Sequence, residues 1–233
     1  MLLYEGKSKI IYSTDAVNDG VRVFFKDDAT AFNGIKKEIL KGKGQLNCTI
    51  STFFMKMLKQ KGIPVHFISQ VSANEQLCQK LKIIPLEVVV RNVAAGSICK
   101  RYGIEKGFVF DDPLCELFYK SDELNDPFVS DDHAIRFGWS TMEDLEQMKK
   151  MAISINTILK EFWEVRGISL VDFKLEFGTT AGGDIVLADE ITPDGCRLWS
   201  IEDGKVWDKD VFRHSLGDLV STYDELSSKL FIL

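Results

Sequence analysis

The chain has 233 residues, of which 45% are apolar and 27% charged, and a formal net charge of −6. That balance belongs to a globular protein able to bury a sizeable core as one large domain or two closely packed ones. It argues against a nucleic-acid-binding surface, and no apolar stretch is long enough for a transmembrane helix.

Tyr4 to Tyr12 and Val21 to Phe25 read as strands around the polar turn from Ser13 to Gly20. A helix is expected from Asn47, a good N-cap, to Gly62, burying Ile50, Phe53, Phe54, Met57 and Leu58. Val65 to Gln70 reads as a short strand, and Asn74 as the cap of a helix through Leu81. Pro85 then interrupts the chain before the β-branched strand Leu86 to Asn92, and a soft domain boundary is placed near residue 84. Asp111 to His133, with Pro113 and Pro127, reads as a long polar loop. The clearest helix is Glu143 to Arg166, with a capping box of Ser140 and Glu143 and a stop at Gly167. A hairpin follows, then a last helix from about Asp210 to Lys229, with Phe212, Leu216, Leu219, Val220 and Tyr223 inward. The element order predicts an α+β protein.

The hairpin carries the strongest chemical signal. In Val171-Asp172-Phe173-Lys174-Leu175-Glu176-Phe177-Gly178, polar and apolar residues alternate, so Asp172, Lys174 and Glu176 share one face. An even-numbered loop before Ile185 would bring Asp189 onto that same face. Three carboxylates around one lysine suit a cation such as Mg²⁺ carrying nucleotide phosphates, while a solvated, salt-bridged hairpin would show the same alternation.

Three further motifs offer cations. Gly6-Lys7-Ser8-Lys9 leads into a strand with two alternating lysines; it is not a P-loop, and it would equally suit a charged edge strand. Arg91-Asn92-Val93-Ala94-Ala95-Gly96-Ser97 ends a buried strand, where Arg91 and Ser97 can grip an anion or simply pair and cap. Arg197 next to Trp199 is a second anion anchor or a stacked surface pair. Trp207-Asp208-Lys209-Asp210 reads most simply as the charged start of the last helix. Cys48, Cys78, Cys99, Cys115 and Cys196 have no C-x-x-C spacing, and His66, His133 and His214 are isolated. The expectation is therefore reduced thiols, no zinc or histidine metal centre, and, with no signal-peptide apolar region, a cytoplasmic location.

In this order, and with Lys120-Ser121-Asp122, Asp126-Pro127, Asp189-Glu190 and Pro193-Asp194-Gly195, these motifs resemble the SAICAR synthetase family of purine biosynthesis along nearly the whole chain. The resemblance implies an ATP-dependent ligase that joins carboxyaminoimidazole ribonucleotide (CAIR) to L-aspartate, releasing ADP and phosphate, through an acyl phosphate. It implies a kinase-like N-terminal part (residues 1–84) covering the nucleotide. An ATP-grasp-like part (85–233) would carry substrate and metal. By analogy Lys7 and Lys9 contact ATP phosphates, Glu87 with its strand backbone holds the adenine, and Glu176 and Asp189 ligate Mg²⁺. Lys174 and Asp172 are the catalytic candidates. Arg91, Ser97 and Arg197 hold the phosphate and ribose side of CAIR, Lys120 and Asp126 lie nearer its imidazole, and Lys209 and Asp210 serve the aspartate pocket. A homo-oligomer, with a dimer favoured, is implied, with no nucleic-acid or membrane partner. An ATP-dependent small-molecule kinase on the same scaffold is the rival reading, and a non-catalytic nucleotide-binding module the third.

Overall fold

The computed structural model describes residues 1–17, 19–31 and 34–231. From the N-terminus, β1 (Leu2–Glu5), β2 (Lys9–Ser13) and β3 (Gly20–Phe25) form an antiparallel meander. A small hairpin of β4 (Asp28–Ala31) and β5 (Lys36–Ile39) precedes α1 (Lys43–Gln60). That helix starts four residues before Asn47. Gly42, at φ 93°, takes the left-handed turn that admits the chain, and Asn47 lies buried inside the helix rather than capping it.

The expected helix after Asn74 is a strand. β6 (Phe67–Ser72) and β7 (Glu75–Gln79) form a hairpin, and β7 also pairs with β3, completing the sheet order β1-β2-β3-β7-β6. Burial of Gln76, Leu77 and Cys78 between two partners overrides the local cap signal. Asn74 sits in the turn, where its carbonyl accepts the Phe25 N–H at 2.9 Å.

The second sheet begins with β8 (Lys82–Val93), which Pro85 does not interrupt. Pro85 lies where the pairing to the neighbouring strand shifts register, a position that needs no N–H, and its carbonyl accepts from Lys120 at 3.0 Å. After α2 (Ser97–Tyr102), β9 (Val109–Tyr119) takes up the first part of the expected polar loop, and residues 120–127 connect it to β10 (Phe128–Val129). Then come α3 (Asp131–Arg136) and α4 (Met142–Glu164); the cap of α4 is Thr141, accepting from the Asp144 N–H at 3.1 Å, not Ser140.

β11 (Ile168–Thr179), β12 (Ile185–Ala188) and β13 (Cys196–Ser200) complete the sheet in the order β10-β9-β8-β11-β12. β13 pairs with the first half of β11 and β12 with the second. The last expected helix is two: α5 (Asp210–Arg213) and α6 (Leu219–Lys229). They are separated by Ser215 at φ 55° and restarted by the Asp218 cap, and Leu216 is exposed.

One face of this sheet is core. Leu86, Val88 and Val90 of β8 and Phe173, Leu175 and Phe177 of β11 pack against Ile50, Phe54 and Leu58 of α1 and Met148, Ile155, Leu159 and Trp163 of α4. Each such side chain contributes roughly 1.5–3 kcal/mol on burial, which fixes the pleat and so dictates what the opposite face presents. Among the described residues no helix is long and apolar enough to cross a membrane. The architecture is mixed α/β with antiparallel sheets.

Candidate active site

The pairing of β8 with β11 sets Arg91 opposite Asp172, Val89 opposite Lys174 and Glu87 opposite Glu176. Since 88, 90, 173, 175 and 177 are core, these six residues share the other face, turned toward the first sheet. Asp172 and Glu176 are roughly 13 Å apart along the strand, so one strand serves two charged clusters with Lys174 between them.

At the Glu176 end, Lys174 donates to Glu87 at 2.6 Å and to Glu176 at 3.2 Å, and Lys120 also donates to Glu176. Lys9, from β2, donates to Asp189 and lies 3.3 Å from Glu190. Burial would lower the pKa of Lys9 and of Lys174, but the surrounding carboxylates outweigh it and hold both above the usual lysine range. Burial would likewise raise Asp189, yet Lys9, Lys174 and Lys120 keep it well below the carboxylate range. Glu190 is raised by burial, and its Oε2 is buried with no hydrogen-bond partner. Glu87 is raised by burial despite Lys174 and feels the nearby charge of Asp126.

Asp189 reaches this cluster by a route the sequence did not predict. Thr179 pairs with Ile185, so residues 180–184 form an odd-numbered loop, and Glu176 lies opposite Ala188. A continued strand would put Asp189 opposite Leu175, on the core face. Instead β12 ends at Ala188, and Asp189 takes φ 59°, which turns its carboxylate back to Lys9. The Asp189 carbonyl accepts from Nε2 of His66 at 2.9 Å, and burial pushes that imidazole down to about 4.

At the Asp172 end, Arg91 donates to Glu116 (2.6 Å), Asp172 (2.7 Å), the Ala95 carbonyl (3.3 Å) and the Ser97 hydroxyl (3.2 Å). Arg197, on β13, donates to Asp172 at 2.9 Å and to Asp210 at 3.1 Å. Two guanidinium groups do not offset the desolvation of Asp172, whose pKa is raised by burial. Asn92, expected beside Arg91, points to the other face and exchanges hydrogen bonds with Asn156 of α4 at 2.8 and 3.0 Å.

Lys7 and Lys9 are not brought together. Lys7 lies in the turn before β2 and pairs with Asp122 at the exposed rim, at 2.7 Å. Asp126 caps its own loop by accepting the Ser121 N–H at 2.9 Å. Lys209 is 3.6 Å from Asp194, and burial lowers its pKa. Asp194 also accepts from the fully buried Lys43 at 2.6 Å and from Tyr223 at 2.7 Å. Lys43 and Glu116 stand in no local pattern that marks them as polar core, and His66, Asp194 and Asp208, though visible in the sequence as an isolated histidine and as members of charged motifs, carried no role that their neighbours in sequence could assign.

All five cysteines are free, and burial pushes the thiols of Cys48 and Cys115 up to about 11 and that of Cys78 to about 12. A thiol raised in this way is a poor nucleophile. Among the described residues no three His, Cys, Asp or Glu side chains converge as a ready-made metal centre. The face is a row of lysines, arginines and carboxylates, suited to binding anions together and shielding charge as it moves between them.

A family model described as SAICAR synthetase matches residues 2–230. A phosphoribosylaminoimidazole-succinocarboxamide synthase from Staphylococcus aureus (strain JH9) is 51% identical over 229 residues, covering 98% of this chain and 97% of that protein. The structure of the enzyme of the same name from Ehrlichia chaffeensis superposes with a TM-score of 0.96 at 48% identity, covering 100% of this chain and 99% of that one. A SAICAR synthetase in complex with ADP superposes with a TM-score of 0.95 at 45% identity, covering 99% and 97%.

Proposed function

The chain belongs to the SAICAR synthetase family and is an ATP-dependent ligase of purine biosynthesis, and from that premise we propose how its charged face divides the work. The observation that carries the reading is the continuous polar face of β8 and β11, with Glu87, Lys174 and Glu176 at one end and Arg91 and Asp172 at the other. One end suits a nucleotide and its metal, the other a ribonucleotide phosphate, and Lys174 stands where the two substrates would meet.

In this proposal a γ-phosphate oxygen–phosphorus bond of ATP breaks as the CAIR carboxylate attacks, giving ADP and an acyl phosphate. The amine of L-aspartate then attacks the acyl carbon, phosphate leaves, and a proton is lost from nitrogen. A free carboxylate is a poor electrophile, so this activation is what makes amide formation feasible. Lys9 meets the ATP phosphates from within the cleft and Lys7 from the rim. Glu87 serves the adenine side through its carboxylate, because its main chain is flanked by β9 and β11 on both sides. Lys174 is the catalytic cation between the reacting anions. Asp172 aims Arg91 and Arg197, which with Ser97 hold the phosphate and ribose side of CAIR. Lys120 and Asp126 lie toward the imidazole, and Lys209 and Asp210 toward L-aspartate.

Magnesium, when bound, neutralises phosphate oxygens and the charge moving between them. Glu176 and Asp189 would hold it. Both are hard oxygen donors now balanced by lysines, and the orphaned Oε2 of Glu190 adds an unpartnered acceptor close by. Two carboxylates with phosphate and water completing the shell is the usual arrangement for this ion. The proposal also retains a kinase-like nucleotide cover up to about residue 84, an ATP-grasp-like remainder, a cytoplasmic location and a dimer.

An ADP-release assay with CAIR and each amino acid in turn tests the chemistry. Turnover is expected with L-aspartate alone. Sustained ADP release without any amine would favour the kinase reading, and equal rates with every amine would overturn the assignment of L-aspartate.

A further inference from the structure

We propose that His66 is a positioning residue: its imidazole holds Asp189 in the left-handed backbone conformation that turns the carboxylate into the cleft. The inference rests on the assignment of Asp189 to the metal and adds the group that makes Asp189 available to it.

Strand parity alone would misdirect the Asp189 side chain. Regular pairing beyond Ala188 would direct residue 189 to the face of Leu175, which is 2% exposed and part of the core. Asp189 escapes only by leaving the strand at φ 59°. For a residue with a side chain, such a conformation is strained and persists only where the surroundings impose it. Two contacts do so. Lys9 holds the carboxylate, and His66 donates to the main-chain carbonyl at 2.9 Å. A carbonyl oxygen only accepts, so Nε2 carries the proton.

His66 is itself fixed. Its N–H donates to the Leu187 carbonyl at 2.9 Å, and its own carbonyl accepts from Gln79 of β7 at 2.7 Å. Leu187 also donates to the Pro64 carbonyl at 2.9 Å, and Val65 forms a parallel bridge with Leu187. The segment 64–66 therefore clamps the end of β12 to the first sheet, and the buried ring extends the clamp by two residues to Asp189. Lys9 and His66 both come from the N-terminal side of the chain, so the position of one carboxylate on the second sheet is set from the first.

The test uses His66→Gln, whose amide can place an N–H near the Nε2 position, and His66→Met, which has similar volume and no donor. ADP affinity is measured by isothermal titration calorimetry across a series of Mg²⁺ concentrations, without CAIR or turnover, alongside the melting temperature of the unliganded protein. His66→Met should raise the Mg²⁺ concentration for half-maximal ADP affinity about tenfold or more, as loss of partners behind metal ligands typically does. His66→Gln should stay near wild type. If His66→Met does not fold, His66→Asn, too short to reach the carbonyl, takes its place. Unchanged Mg²⁺ dependence with only a lower melting temperature reduces His66 to packing and overturns the proposal. Asp189→Asn is the control. If it shifts the Mg²⁺ dependence and His66→Met does not, the fault lies with His66. If Asp189→Asn itself has no effect, the metal assignment falls and the inference falls with it.

Discussion

Gly96 shows how far a single atom can matter here. It sits at φ 65°, ψ −126°, a region glycine occupies without strain and other residues avoid. A Cβ built there would lie 2.5 Å from Nη2 of Arg197. That guanidinium cannot simply swing away, because Asp172 and Asp210 hold it from two sides. Gly96→Ala should therefore displace Arg197 from the place where the proposed function has it hold the phosphate of CAIR. A loss of about 1.4 kcal/mol in binding corresponds to about a tenfold rise in KM for CAIR, with KM for ATP nearly unchanged. Steady-state kinetics with each substrate varied checks this, and an equal rise in both would refute local displacement. That Arg91, Ser97 and Arg197 could gather at one place was legible from residue type and from their positions at a strand end, a helix start and a following strand. The importance of Gly96 was not, because its constraint comes from a side chain a hundred residues away.

At the scale of elements, the alternation in β11 was legible because one face must be apolar to meet α1 and α4, which forces the charges onto the other. What failed were features decided by partners distant in sequence. β7 is a strand because β3 and β6 need it between them, and β8 runs through Pro85 because the ladder slips there. The break between α5 and α6 falls at Ser215, while the junction between β13 and α5 holds Asp208, which is completely buried. Its two oxygens accept the Leu198 N–H at 2.8 Å and the Asp210 N–H at 2.7 Å. It thereby anchors the main chain beside both Arg197 and Asp210. Burial, reinforced by the charge of Asp210, pushes its carboxyl up to about 7. A folded-state value above the unfolded one, about 3.9, means stability is fully present below pH of about 4 and is lost as pH rises through about 7. Asp208→Asn cannot ionise, and it leaves one N–H without an acceptor at every pH. The variant should therefore melt below wild type by a margin that is larger at pH 5 than at pH 8. A margin independent of pH in thermal unfolding would show that Asp208 ionises normally.

For the molecule as a whole, the question is what holds the two sheets at a fixed separation across a face crowded with charge. Lys9 and His66 tie Asp189 to the first sheet, and Lys43 adds a third tie. Lys43 opens α1, which can approach β3 closely because a Cβ at Gly44 would stand 2.4 Å from the Phe25 carbonyl. Its ammonium, wholly buried, donates to Asp194 on the loop behind the candidate site, and Tyr223 of α6 donates to the same carboxylate. Burial would raise Asp194, but Lys209 and Lys43 override it and hold the group below the usual range. Lys43→Met removes one partner and leaves Asp194 ionised in the interior with a hydroxyl and the more distant Lys209. Removing one member of a buried pair costs roughly 3–5 kcal/mol, chiefly for the charge left behind. Lys43→Met/Asp194→Asn, which removes that charge while keeping an acceptor for Tyr223, should recover part of the loss. The sign with pH is fixed as well. Stability from a depressed carboxylate is present above its unfolded value, about 3.9, and fades as acid protonates it. The gap between wild type and Lys43→Met should therefore narrow below pH of about 4. Urea unfolding of the two variants and wild type at pH 7 and pH 3.5 measures both effects. A double variant no more stable than the single one would mean that Lys43 acts by filling space rather than by pairing Asp194.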